Sequence, residues 1–251
     1  MRFVLPFLFL LSLPAWAESV VLGLSQNEIA ITTSFDGSEI LVFGAVKRDV
    51  PVPEGPELEV IITVAGPSVP VMVRRKEKRL GIWVNTDAVE VDRAPSFYAV
   101  ATSGLLRDVL RDIEDLRYQI SVPRAIRSVG APMTITDATE FTEALIRIRS
   151  NAQLYQLQEN HVVVDEQTLF RARIELPAAL TEGAYATRIF LTRGGEVVSN
   201  YETSIDVRKV GMERWLFGLS REQPIIYGLM SLAIAIFAGW SASAAFSLLR
   251  N

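Results

Sequence analysis

The sequence predicts a mainly β body with two inserted helices, exported ahead of a single C-terminal transmembrane helix. The architecture expected of the body is an immunoglobulin-like β-sandwich. Three observations predict this. Apolar residues alternate with polar ones over 18–101 and again over 161–210. Between them, over 102–160, the period changes to three and four residues. Near the end, Ile225 to Leu249 contains neither a charged residue nor a proline.

The N-terminus reads Met1-Arg2, an apolar run from Phe3 to Leu13, then Pro14-Ala15-Trp16-Ala17. A positive start, a short apolar core and an A-x-A site predict a signal peptide over 1–17. An uncleaved N-terminal anchor is the alternative, and either one exports the body. The run is short for a span and carries Pro6 and Pro14.

From residue 18, Ile29, Ile31, Thr33 and Phe35 alternate with polar or small neighbours, and Asp36-Gly37 predicts a hairpin into Ile40–Ala45. Leu58, Val60, Ile62 and Val64 form the next alternation. Val71–Arg75 and Leu80–Asn85 predict a second hairpin with Lys76-Glu77-Lys78-Arg79 near its tip. Val89, Val91 and Phe97–Ala101 complete about seven short strands, a sandwich-like spacing. No Cys…Trp…Cys pattern is possible, because the chain has no cysteine.

Leu106, Val109 or Leu110, Ile113, Leu116 and Ile120 predict one amphipathic helix ended by Pro123. Asp137 with Glu140 predicts the capped start of a second, whose stripe is Phe141, Leu145, Ile148, Ala152 and Tyr155. Phe170, Ala172, Ile174 and Leu176 then restore period two, followed by Tyr185, Thr187, Ile189 and Leu191. Gly194-Gly195 predicts a hairpin into Val197–Val207. The 161–210 stretch is a second β-unit or the closing strands of the first.

A juxtamembrane segment over 211–223 leads into the expected transmembrane helix, 224–249. The 25 residues from Ile225 to Leu249 reach about 37 Å as a helix, enough to cross roughly 30 Å of hydrocarbon. The apolar ends account for a mean hydropathy of +0.26. The signal peptide places the body in the periplasm and the C-terminus in the cytoplasm of a single-pass inner-membrane protein. Arg208, Lys209, Arg214 and Arg221 precede the span and only Arg250 follows it, which argues the other way. Long domains translocate regardless of such charges, so the signal peptide decides.

Several stretches carry a family resemblance: Ile40 to Ala45, Arg74-Arg75-Lys76 with Gly81 to Asn85, Pro95 to Val100, Leu169 to Ile174, and Tyr227-Gly228 with Gly239-Trp240. The chain resembles a family of uncharacterised alphaproteobacterial proteins of about this length, known as predicted transmembrane proteins. The likeness spans body and anchor. It implies no catalytic motif, cofactor or site residue. It implies a genomic neighbourhood that often holds a sulfite or organosulfonate exporter.

The composition narrows the chemistry. With 25 basic and 29 acidic residues the net charge is −4, which does not suit a nucleic-acid partner. One histidine and no cysteine exclude multi-histidine and thiolate metal centres. His161 beside Asp165 and Glu166 is read as a polar loop residue. No phosphate-cradling glycine motif and no nucleophile elbow occurs. Asp108, Asp112 and Asp115 beside Arg107, Arg111 and Arg117 read as a solvated face. No catalytic, cofactor or metal residue is therefore expected, and an unrecognised hydrolase is the weakest alternative.

Two features point outward. Arg74, Arg75, Lys76, Lys78 and Arg79 place five cations within six residues, a solvated hairpin edge or a patch for an anion or a partner. Ser231, Ala235, Gly239, Ser243 and Ser247 recur every fourth residue and form one strip of small side chains, where a second helix can approach closely. Trp215, Phe217 and Tyr227 suit an interfacial aromatic belt. The expected role is a membrane-anchored periplasmic accessory protein, partnered by the bilayer and by a membrane protein such as a transporter, or by itself. A periplasmic binding module for a small anion is the alternative.

Overall fold

The computed structural model describes residues 19–25, 28–31, 37–48, 55–128, 138–209, 216 and 219–249. The expected signal peptide, Asp36, Asp137, Trp215 and Phe217 lie outside these. The chain is mostly β, with few helices besides one apolar C-terminal helix.

Among the described residues, twelve strands form three sheets. The four-stranded sheet has the order β1 (Ser19–Leu24), β3 (Gly37–Lys47), β10 (Leu169–Pro177), β9 (Val163–Asp165). The six-stranded sheet has the order β2 (Glu28–Ile31), β12 (Glu196–Lys209), β11 (Gly183–Arg193), β4 (Leu58–Ala65), β7 (Tyr98–Thr102), β8 (Tyr155–Gln158). β5 (Ser68–Arg79) and β6 (Ile82–Pro95) form a two-stranded sheet, and Arg93 of β6 also bridges Arg127. Strands from 161–210 thus join both larger sheets: β10 pairs with β3, and β11 with β4.

The larger sheets curl and bury their facing side chains in one apolar cluster. Ile40, Val42, Phe170 and Ile174 come from the four-stranded sheet, and Val60, Ile62, Ile189 and Ile205 from the six-stranded one. β10 shows the expected alternation, with Phe170, Ala172, Ile174 and Leu176 buried between exposed Arg171, Arg173 and Glu175. β4 and β7 are buried on both faces, since a second cluster covers Ile61, Tyr98, Val100 and Phe190. Burying one such large aliphatic side chain stabilises the fold by about 1.5–3 kcal/mol.

That second cluster is closed by the helical segment and the hairpin. α1 (Leu106–Val109), α2 (Asp112–Tyr118), α3 (Val122–Ala125) and α4 (Ala138–Asn151) contribute with β6. The single helix expected over Leu106–Ile120 is instead two short pieces, α1 and α2. Leu110 is extended, and the Arg111 N–H leaves the helix to donate to Gly195 O at 2.9 Å. Pro123 stands in the first turn of α3 rather than ending a helix, a position where its missing N–H costs nothing. In α4, Phe141 and Leu145 are buried as expected, whereas Ile148 is exposed and Tyr155 begins β8.

Two strand expectations are also corrected. Ile29 and Ile31 do not pair with Ile40–Ala45 as a hairpin: β2 runs parallel to β12 in the six-stranded sheet, while β3 joins β1 and β10, and Thr33, Phe35 and Asp36 lie outside the described residues. Val89 and Val91 are not a separate strand, because β6 runs unbroken through them. The hairpin at Gly194-Gly195 forms, with positive φ at both glycines. The C-terminal helix α5 spans Pro224–Leu249.

Candidate functional site: a cationic hairpin and an exposed apolar helix

β5 and β6 are long for a two-stranded ribbon, and their root is tied down. The ladder of β4 and β7, ending at Ala65↔Tyr98, continues without a break. Gly66 N–H donates to Phe97 O at 2.8 Å, Ser96 N–H donates to Pro67 O at 2.8 Å, and Ser68↔Pro95 opens the β5–β6 ladder. A side chain at Gly66 would place its Cβ 2.6 Å from Ser96 Oγ and 3.0 Å from the Tyr185 ring. The Pro95 carbonyl accepts from the Tyr155 hydroxyl at 2.9 Å and from the Arg149 guanidinium.

At the other end, Arg79↔Ile82 leaves a two-residue loop, Leu80-Gly81, with φ of 49° and 86°. Positive φ at both positions is what the two-residue turn matching strand twist requires. The Lys76–Arg79 cations therefore stand in the strand, close to the turn.

Register sorts the five cations onto two faces. Arg75 faces α4: its guanidinium lies 3.0 Å from Glu140, 3.9 Å from Asp87, and 4.7 Å from the centre of the Phe141 ring. It serves as a clamp between hairpin and helix. Arg79 pairs with Glu77 at 3.3 Å. Arg74, Lys76 and Lys78 alternate along the opposite face, with Ala88, Asn85 and Trp83 as cross-strand neighbours. They make no ion pair among the described residues. The groove between β5 and α4, of about 540 Å³, is lined by Glu140 and Glu143 as well as by Arg74, Arg75 and Arg147. Its charge is mixed, whereas Lys76 and Lys78 stand clear of it.

On α5 no charged residue occurs and no described residue is buried. Ser231, Ala235 and Gly239 are exposed, and a Cβ at Gly239 would meet nothing within 4 Å. Ser231 Oγ donates to Tyr227 O at 2.9 Å within its own helix, which satisfies the hydroxyl without a partner. Ser243 and Ser247 lie further along the helix, and their side chains are outside the described part. The helix is long and apolar enough to cross a membrane.

The remaining sequence candidates are structural. His161 is exposed, and its N–H donates to Thr102 O at 2.8 Å. Asp115 Oδ1 accepts from the N–H groups of Ile120 and Ser121 at 3.0 and 2.7 Å, so it caps the turn after α2. Arg111 pairs with Glu196 rather than along its own helix. Among the described residues, no three His, Asp or Glu side chains gather as a metal site.

Sequence reasoning sets Tyr155 and Tyr185 on apolar faces but misses the hydrogen-bond partners of the buried tyrosines. Tyr98 donates to Ile120 O at 2.8 Å, Arg188 donates to Tyr98 at 3.2 Å, and burial pushes the Tyr98 phenol up. Burial does the same for Tyr155 and Tyr185. Tyr98 lies in a stretch whose pattern reads as a strand, but nothing local marks its partners.

No curated protein matches the chain. A protein family described as "Putative transmembrane protein (Alph_Pro_TM)" matches residues 19–247. That match takes in the β body and nearly all of α5, as the sequence resemblance implied, and the chain belongs to this alphaproteobacterial transmembrane-protein family.

Proposed function

We propose that this protein is a membrane-anchored accessory protein whose body works in the periplasm and whose α5 pairs, within the inner membrane, with a transporter component or with a second copy. The observation that carries the reading is α5 itself: 26 residues without a charge, and exposed over Pro224–Ser241. Water would not tolerate so much apolar surface on one helix without a cover, and a bilayer supplies it. Within lipid there is no hydrophobic gain from pairing helices, so association depends on close backbone approach. The strip of Ser231, Ala235 and Gly239 offers that approach. The facing apolar sheets support the sandwich architecture expected of an exported body. The signal peptide expected from the sequence over 1–17 supports the orientation, with the C-terminus in the cytoplasm.

The test is mild-detergent co-purification with Ala235→Leu and Gly239→Leu variants. A pairing helix should bring down a partner membrane protein, or a dimer, with the natural sequence and lose it in both variants. Recovery of a lone monomer from the natural sequence would contradict it.

A further inference from the structure

We propose that the β5–β6 hairpin is a second membrane contact: Leu80, Ile82 and Trp83 seat in the interfacial layer of the bilayer that α5 enters, and Arg74, Lys76 and Lys78 face its anionic headgroups. This contact rests on α5 being the anchor.

The tip is built against solvent. Leu80 is 105% exposed, Ile82 65% and Trp83 67%. Turn positions with positive φ ordinarily carry glycine, asparagine or aspartate. Here a leucine holds φ 49° with no burial in the body to offset it. An apolar tip with a tryptophan is the composition of the membrane–water interface. Behind it, three cations on one face complement anionic lipid, and their aliphatic stems let the charges reach headgroups while the tip sits deeper.

The topology places hairpin and anchor at one end of the body. β11 begins at Gly183, opposite Val207 near the end of β12, and Ala186 is opposite Ala65 at the end of β4. The chain therefore leaves the sheet for α5 at the edge where β4 passes into β5. From Ser68 to Arg79 the ribbon advances 79 − 68 = 11 residues, about 36 Å. From Lys209 to Leu219 the chain advances 219 − 209 = 10 residues, at most roughly 35 Å, and the helical residues 219–222 add about 6 Å. The connection is long enough for the tip to touch the surface that the anchor enters.

The chain has no cysteine, so single labelling sites can be placed at will. Leu80→Cys, Leu229→Cys on α5 and Glu202→Cys on β12 are each labelled with bimane in the full chain. The proteins are reconstituted into vesicles of phosphatidylcholine and anionic phosphatidylglycerol carrying spin-labelled lipid. The Leu80 and Leu229 labels should be quenched and the Glu202 label should not. Replacing Arg74, Lys76 and Lys78 by Glu should cut Leu80 quenching by roughly tenfold or more, since each cation near an anionic surface contributes roughly fivefold. Quenching at Leu229 with none at Leu80 overturns the hairpin contact and leaves the anchor reading standing. Absence at both overturns the two together. Loss of Leu80 quenching on adding millimolar inorganic phosphate would identify a small-anion site and overturn the bilayer contact.

Discussion

The Tyr155 hydroxyl donates to the Pro95 carbonyl at 2.9 Å, joining residues sixty positions apart. Arg149 adds a second donor to the same carbonyl and reaches the Tyr155 oxygen at 2.8 Å. The end of β6 is thus held by both the C-terminal turn of α4 and the start of β8. Tyr155→Phe removes the hydrogen bond donated to Pro95 and the one accepted from Arg149, and should lower the stability of the full chain in detergent by about 1–2 kcal/mol. Denaturant unfolding measures it, and faster amide exchange over Val91–Pro95 should accompany it. An unchanged midpoint would mean that Arg149 alone holds the joint.

Alanine should act oppositely at two glycines. At Gly44 a Cβ would lie 2.5 Å from the Phe170 ring and 2.8 Å from the Val21 carbonyl oxygen. Neither β10 nor β1 can move away freely, so Gly44→Ala should cost about 1–3 kcal/mol. At Gly239 nothing lies within 4 Å, so Gly239→Ala should leave the body's thermal midpoint unchanged. Equal effects at both positions would contradict the packing described for β3.

Alkaline pH should unfold the body through its phenols. Tyr98, Tyr155 and Tyr185 are held neutral by burial, which raises each folded pKa. An unfolded tyrosine ionises near pH 10. Their contribution is therefore complete below about pH 10 and is lost as pH rises through the higher folded values. Absorbance at the phenolate band should show these three of the six tyrosines ionising late and together with unfolding. Early, independent ionisation of all six would contradict the burial.

Some of this is legible in the sequence for a physical reason. β10 is covered on one face, so its side chains alternate, and the pattern of Phe170 to Leu176 shows it directly. The Gly194-Gly195 turn announces itself because only such residues take its φ values cheaply. The α1–α2 break is invisible, because its cause is a tertiary hydrogen bond from Arg111 to Gly195. β2 misleads for a similar reason: its partner, β12, lies more than 170 positions away, and no local pattern encodes a parallel partner. Of the five cations, sequence can group them, but only strand register separates Arg75 from Arg74, Lys76 and Lys78.

That separation is measurable. Arg75→Ala loses the Glu140 pair and the contact with the Phe141 ring, and should cost about 1 kcal/mol. Arg74→Ala should stay within about 0.5 kcal/mol of the natural sequence. Thermal unfolding of the two variants side by side checks it. A larger loss at Arg74 would reverse the assignment of faces.

Washing membranes that hold the full chain with alkaline carbonate tests the anchor most directly, beside a variant ending at Gln223. With α5 spanning the bilayer, the full chain stays with the sedimented membranes and the shortened chain is released. Release of the full chain would contradict a membrane-spanning α5, and with it the accessory role built upon it.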